Sequence, residues 1–417
     1  MHIGMLTACY DPVVNGVTQM IAQYEKHLTA AGHRVTIFTL GEPAPGEDVR
    51  RVIRSPAMPL GKTGYHLAAR YSPEAQSRLR EVDVIHSHHL LMGLEFGKRY
   101  SQRPVVFTNH TRYDLYLSSY GRLPEDLAGL MMRSAWRRLA GFADVIVAPS
   151  ASIRDVLQEA GVSAPIEIIE NGVEVDRFRR PAQSHSRAIL GLPDDAFVIT
   201  YVGRLSREKS IRRLVDEFRI TAAAADGVHL LLVGGGPLRR AVEQQVADIG
   251  LSNRVHFTGQ VDPERVPEYL HISDVFASAS VTEVHPLAVI EAIVAGIPVI
   301  AVDLAGMRDV VEHDRSGILV DGTAGSLARA MTLMATERSY GSQLQEGAKR
   351  SGAQYDIGVT IEKTLALYEK VIRCQPDEEC GSTAANGDSL GRWQLHGRRR
   401  TSVQAFGNGQ GVDSSER

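Results

Sequence analysis

Cysteine is scarce. The 417 residues hold three (Cys9, Cys374 and Cys380), scattered and without metal-ligand spacing. That excludes a disulfide framework and a thiolate metal centre, and it points to a reducing compartment. Long apolar runs are missing too: nothing approaches the roughly 18 consecutive apolar residues of a membrane-crossing helix. The chain opens directly on the strand-like His2-Ile3-Gly4-Met5-Leu6-Thr7, without the charged and apolar regions of a secretory leader. The expected location is cytoplasmic, with peripheral contact at the inner membrane face as the alternative. An excess of positive charge is also lacking. The formal net charge is −3, and residues 1–176 carry 18 Lys and Arg against 19 Asp and Glu, which excludes general nucleic-acid binding.

The length suffices for two domains with proper cores, and apolar strands alternate with amphipathic segments along most of it. Met1–Thr7 reads as a strand, Val17–Ala31 as a helix with Met20, Ile21, Tyr24 and Leu28 on one face, and Val35–Leu40 as the next strand. Strand, loop, helix, strand opens a doubly wound α/β domain. The pattern predicts one such domain over 1–178 and a second over 190–354. A closing helix over 355–373 follows, and the residues from 375 to 417 are too polar to fold. A helix over Pro124–Phe142 carries Leu127, Leu130, Met131 and Leu139, with Arg133, Arg137 and Arg138 around Trp136. This is either a solvated basic face or a basic, aromatic docking surface for anionic membranes.

The most informative stretch is Thr282 to Val302, with Glu283 and Glu291 separated by seven residues across an apolar helix start. Pro286 suits the first turn of a helix over Leu287–Val294, Gly296 stops it, and Pro298–Val302 reads as a buried strand. A helix N-terminus presents unpaired N–H groups to phosphate, and Glu291 lies among apolar residues where a carboxylate needs a partner or ligand. Two acceptors beside an anion site suit a nucleotide sugar. Arg204 and Lys209 follow the strand Phe197–Val202 and can converge on a diphosphate, Arg as a fork and Lys as a point charge. Gly234-Gly235-Gly236-Pro237 follows another strand, but Arg239 stands where a dinucleotide fingerprint has its third glycine. His110 ends the strand Val105–Thr108, and Val14-Asn15-Gly16-Val17 sits where a first βα turn meets ligand. His86, His88 and His89 lack a nearby carboxylate or Cys to complete a metal site, so a polar cleft lining is the better reading.

E-x7-E followed by E-A-I-V-A-G-I-P-V-I-A resembles the signature of the retaining GT-B glycosyltransferases of family 4. The GRLSREK stretch, the strand-end His110-Thr111 and N-G-V-E-V-D-R-F at Asn171–Phe178 stand in that family's order, so the resemblance spans roughly residues 1–373. It implies two Rossmann-like domains facing across a cleft, the first for the acceptor and the second for the nucleotide sugar. It implies that Glu283 and His110 contact the donor sugar and Glu291 the ribose. Arg204 and Lys209 would hold the diphosphate as it leaves, with Gly16, His285 and Leu287 lining the donor site. Val284-His285-Pro286 departs from the small residues usual after the first Glu. No cofactor or metal is expected, and no D-x-D motif is present. The variant motifs look most like lipid glucosyltransferases. They favour UDP-glucose with a lipid or glycolipid acceptor, ahead of GDP-mannose or a small-molecule acceptor such as an inositol phosphate or natural-product aglycone.

Overall fold

Among the described residues thirteen strands form two parallel sheets, and strand order explains where loops gather. The computed structural model describes residues 1–44, 46–60, 65–112, 125–181 and 187–374, without the side chains of 125–130 and 132. The predicted tail and part of the segment between the two predicted domains lie outside these described residues.

The first sheet runs β3-β2-β1-β6-β7-β8-β9, with β1 His2–Leu6, β2 Arg34–Leu40, β3 Val52–Ser55, β6 Val84–Ser87, β7 Val105–Thr108, β8 Val145–Ala148 and β9 Ile166–Ile168. A small antiparallel hairpin, β4 Met58–Pro59 and β5 His66–Leu67, stands apart from it. The second sheet runs β12-β11-β10-β13-β14-β15, from β10 Phe197–Val202 and β11 Val228–Val233 through β12 Val255–Gly259, β13 Val275–Ser278 and β14 Val299–Val302 to β15 Gly317–Val320. Both sheets are covered on both faces, so strands such as β11 are buried along their whole length and read as continuous apolar runs. The two Rossmann-like domains are thus doubly wound α/β layers.

In such sheets the chain winds away from a central strand in both directions, and loops at that switch point diverge to leave a crevice. In the first sheet β1 is flanked by β2 and β6, so the loop after β1 meets His86–His89 after β6. In the second, β10 is flanked by β11 and β13, which sets Arg204 and Lys209 beside the turn that carries Glu283. Side chains then supply the cores. Ile211, Leu214, Val215, Phe218 and Ala222 form one face of the helix Ile211–Ala224 against the second sheet.

The final helix, expected over 355–373, spans Ile357–Arg373, and Asp356 caps it by accepting from Gly358 N. Ile357, Ile361, Leu367 and Tyr368 pack with Met5 and Tyr24 under the first sheet. Two predicted features need correction. Trp136, on the helix Glu125–Ala140, is fully buried in the apolar cluster that holds Phe107 and Ile153, while Arg133, Arg137 and Arg138 face solvent; Met131, expected on the apolar face, is 56% exposed. Pro286 is the N-cap, with extended backbone (ψ 117°), rather than the first helical residue.

Trp136→Ala is therefore expected to cost roughly 3–5 kcal/mol in a urea titration, whereas Arg133→Ala stays within about 0.5 kcal/mol.

Candidate functional site

The loop after β10 is built before it is charged. Gly234 and Gly236 have φ of 136° and 156°, and a Cβ on either would lie 2.0 Å from Gly203 O or 2.5 Å from Leu205 O. Only glycine lets that turn press against residues 203–205, where Leu205 N donates to Gly235 O. Supported so, Arg204 donates to Glu208 Oε1 at 2.5 Å, and Ser206 Oγ donates to the same oxygen. Glu208 O in turn accepts from the hydroxyls of Ser280 and Thr282, tying this loop to the turn after β13.

Across that tie, Lys209 Nζ donates to Glu283 Oε1 at 2.6 Å, with both side chains largely withdrawn from water. The structure thus joins two residues singled out separately in the sequence. Burial, followed by the charges of Glu283 and Glu208, raises the Tyr201 phenol well above its ordinary range, which places that ring beside the same charges. Burial also pushes the Cys9 thiol up, and Arg204 acts on it across the cleft. The loop after β1 therefore faces the cationic loop.

Glu291 lies on the helix Leu287–Val294 and is 8% exposed. Burial raises its carboxyl to about 7, with the Arg177 charge acting in the opposite direction. It borders a cavity of about 220 Å³ shared with Gln19, Gln23, Gly172, Arg177 and Asp262. A larger cavity, about 460 Å³, adjoins it along Gln19 and Pro263 and is lined by polar groups including Asp11, Thr18, Asp48 and Arg51. Gly16 begins its helix behind an Asn15 capping box, and a Cβ on it would sit 4.0 Å from Leu287 Cδ1. Gly16 and Leu287 thus meet across the cleft.

His285 and His110 are placed differently. Burial drops His285 to about 4; its ring stands edge-on to Tyr355, and its carbonyl accepts from Asn171 Nδ2 at 2.9 Å. Its described contacts lie at the crossing between domains, not at Lys209 and Glu283. His110 has no hydrogen bond to Glu283, Arg204 or Lys209; its Nε2 bonds His88 Nδ1 at 3.0 Å. Burial holds His86 and His110 at about 3 and His89 at about 4, so the histidine group is neutral. Among the described residues no group of three His, Cys, Asp or Glu is placed to hold a metal. Sequence reasoning missed Glu208, the Asn171 contact and the Ser152 hydroxyl, which bonds the Asp309 carboxylate and accepts from Gly306 N across the domain seam. The Asn15 cap was signalled by Thr18 three residues on; the others carry no local signal.

Comparison with known proteins places this geometry. Residues 14–177 match the family described as Glycosyltransferase Family 4, and residues 182–351 that described as Glycosyl transferases group 1. D-inositol 3-phosphate glycosyltransferase of Acidothermus cellulolyticus is 30% identical over 409 residues, covering 88% of each chain. Alpha-monoglucosyldiacylglycerol synthase of Streptococcus pneumoniae is 27% identical over 361 residues, covering 79% of this chain and 78% of that one. Among solved structures, sucrose-phosphate synthase from Thermosynechococcus elongatus superimposes with a TM-score of 0.73 at 23% identity, over 90% of this chain and all of that one. Anabaena HepE in complex with UDP and glucose gives 0.71 at 21%, over 89% of this chain and all of that one. Fold and relatives agree: the chain belongs to the family 4 glycosyltransferases of GT-B fold, enzymes that move a hexose from a nucleotide sugar.

Proposed function

We propose that the protein is a retaining, metal-independent glycosyltransferase that moves a hexose, with UDP-glucose as the favoured donor, to a hydroxyl of a lipid or glycolipid acceptor. The observation that carries the donor half is the Lys209–Glu283 pair at 2.6 Å, with Arg204 on the same loop and the Glu291 helix starting just beyond. In this reading Glu283 and His110 contact the sugar and Glu291 accepts from the ribose hydroxyls. As the C1–oxygen bond breaks, Arg204 and Lys209 stabilise the leaving diphosphate. The acceptor oxygen enters on the face that the diphosphate leaves, and the diphosphate takes its proton. Charge held ready for a developing anion is usually the largest catalytic term, and one lost donor costs roughly 3–4 kcal/mol. Relatives named for diacylglycerol glucosylation support the acceptor class.

The cavity beside the Glu291 pocket, with Asp11, Thr18, Asp48 and Arg51 in its lining, favours a second reading, a small hydroxylated acceptor. GDP-mannose remains the alternative donor, supported by the 29% identical mannosyltransferase of Mycolicibacterium smegmatis.

A thermal-shift panel of UDP, GDP, ADP and TDP tests the donor, since ligand at 100 times Kd stabilises by about 2.7 kcal/mol. A shift with UDP alone supports the reading; one with GDP alone moves it to mannose. Labelled UDP-glucose offered diacylglycerol vesicles or inositol phosphate then separates the acceptors. Glu291→Ala should weaken nucleotide binding, Glu283→Ala mainly turnover, and His110→Ala should lower transfer; wild-type kinetics in all three would remove the site assignment.

Glu291 also has a signature without ligand. Its folded pKa of about 7 lies above the ordinary 4.5, so the folded state binds the extra proton. Stability is unaffected below pH 4.5, falls between 4.5 and 7, and stays lowered above 7. Glu291→Gln should be more stable than wild type above pH 7, by up to roughly 3 kcal/mol, and indistinguishable near pH 4.

A further inference from the structure

His88 is buried, and no part of the proposed chemistry uses it. We infer that His88 is a positioning residue that sets the tautomer of His110, holding the proton on His110 Nδ1 so that this nitrogen donates to the donor sugar. The inference rests on the proposed sugar contact of His110.

The geometry comes from strand register. In the parallel pair β6 and β7, His86 stands opposite Val106. Carried two residues on, that register sets His88 opposite Thr108, and His110 follows two residues later at the same end of the strand pair. Their planes differ by 17°, the centroids are 5.3 Å apart and Nδ1 of His88 is 3.0 Å from Nε2 of His110. Two rings meeting tip to tip in a common plane give that combination, which is the arrangement of an in-line N–H···N bond. His88 cannot turn away from it. His86 lies against its face at 4.1 Å between centroids, Tyr24 approaches at 5.8 Å, and His86 is itself fixed by Tyr368 and Thr108, each at 2.6 Å.

Both rings are neutral, so each carries one proton and one lone pair. An N···N hydrogen bond between them holds one proton, which leaves two arrangements. In one, His88 Nδ1–H donates into His110 Nε2; His110 then carries its proton on Nδ1, and His88 Nε2 is a bare lone pair. In the other, His110 Nε2–H donates to His88, His110 Nδ1 becomes an acceptor, and His88 Nε2 carries a buried N–H. His88 Nε2 has no hydrogen-bond partner among the described residues. An orphaned buried N–H is the rarer outcome in folded proteins than an under-used acceptor, which selects the first arrangement. His110 is half-buried, and its Nδ1 has no hydrogen bond among the described residues, so that nitrogen is the one left to meet a ligand. Protonation could not supply the donor at neutral pH; the tautomer can.

His88→Leu keeps the site apolar and filled but leaves His110 Nε2 without a partner; His88→Asn returns an amide N–H close to where Nδ1 stood. His88→Leu should lower kcat on the order of 10-fold to 100-fold. The KM for the nucleotide sugar and the thermal shift with the nucleoside diphosphate should stay as in wild type. His88→Asn should recover most of the loss. With 15N-labelled histidine, NMR should show His110, identified by its loss in His110→Ala, protonated on Nδ1 in wild type and His88→Asn, and as a mixture in His88→Leu. Wild-type kcat in His88→Leu, or His110 protonated on Nε2 in the wild-type protein, would overturn the inference. So would equal losses of kcat and thermal midpoint in both variants, which mark a packing role. If His110→Ala itself transfers at the wild-type rate, the sugar contact fails and the inference with it. If His110→Ala is impaired while His88→Leu is not, only the role of His88 fails.

Discussion

A cation and a carboxylate drawn partly out of water must hold each other or something equivalent, and Lys209 and Glu283 do so across 74 residues of chain. Their meeting depends on little besides topology. Each lies just past a strand end, and β10 and β13 are neighbours in the sheet. The same loops are tied again through Glu208, whose carboxylate holds Arg204 and whose carbonyl receives two hydroxyls from the far turn. Under the proposed reading, a nucleotide sugar entering there would meet charges already positioned, with its phosphates and hydroxyls substituting for protein partners. That limits the reorganisation needed at the moment of reaction.

The domains are joined by a different kind of contact. Asn171 reaches the carbonyl of His285, Ser152 bridges to Asp309 and Gly306, and Val284 packs into the apolar cluster of the first domain. All of these lie within or beside the turn that carries Glu283. Movement of one domain against the other is therefore felt at the carboxylate itself, without a relay through either core.

Much of this was legible in the sequence where chemistry leaves a local mark. Glu291 stands out as a carboxylate in an apolar helix, and its burial and raised pKa follow from that setting. Arg204 and Lys209 were marked by their place after an apolar strand. What was not legible depends on what lies opposite. Trp136 amid arginines looks like surface until Phe107 and Ile153 are known to stand behind that helix. His88 and His110 are 22 residues apart, and their bond exists only because β6 pairs with β7 in one register. His285 stands edge-on to Tyr355, a ring 70 residues further along the chain that no local pattern points to. Periodicity tells which face of an element is apolar; it does not say which other element covers it.

The last helix has a consequence for how the protein is made. Tyr368 bonds His86 across 282 residues, and its neighbours complete the apolar layer under the first sheet. Synthesis runs from the N-terminus at about 5–20 residues per second, so the first domain waits on the order of 15 to 60 seconds after its β6 strand emerges before that layer can close. During that interval its histidine cluster lacks the hydroxyl that fixes His86, and the apolar underside of the sheet is open to water. The nascent first domain is the vulnerable species, while the second domain finishes its sheet before the closing helix exists. The order of emergence thus makes the appearance of the closing helix, rather than the end of the first domain, the event that completes that layer.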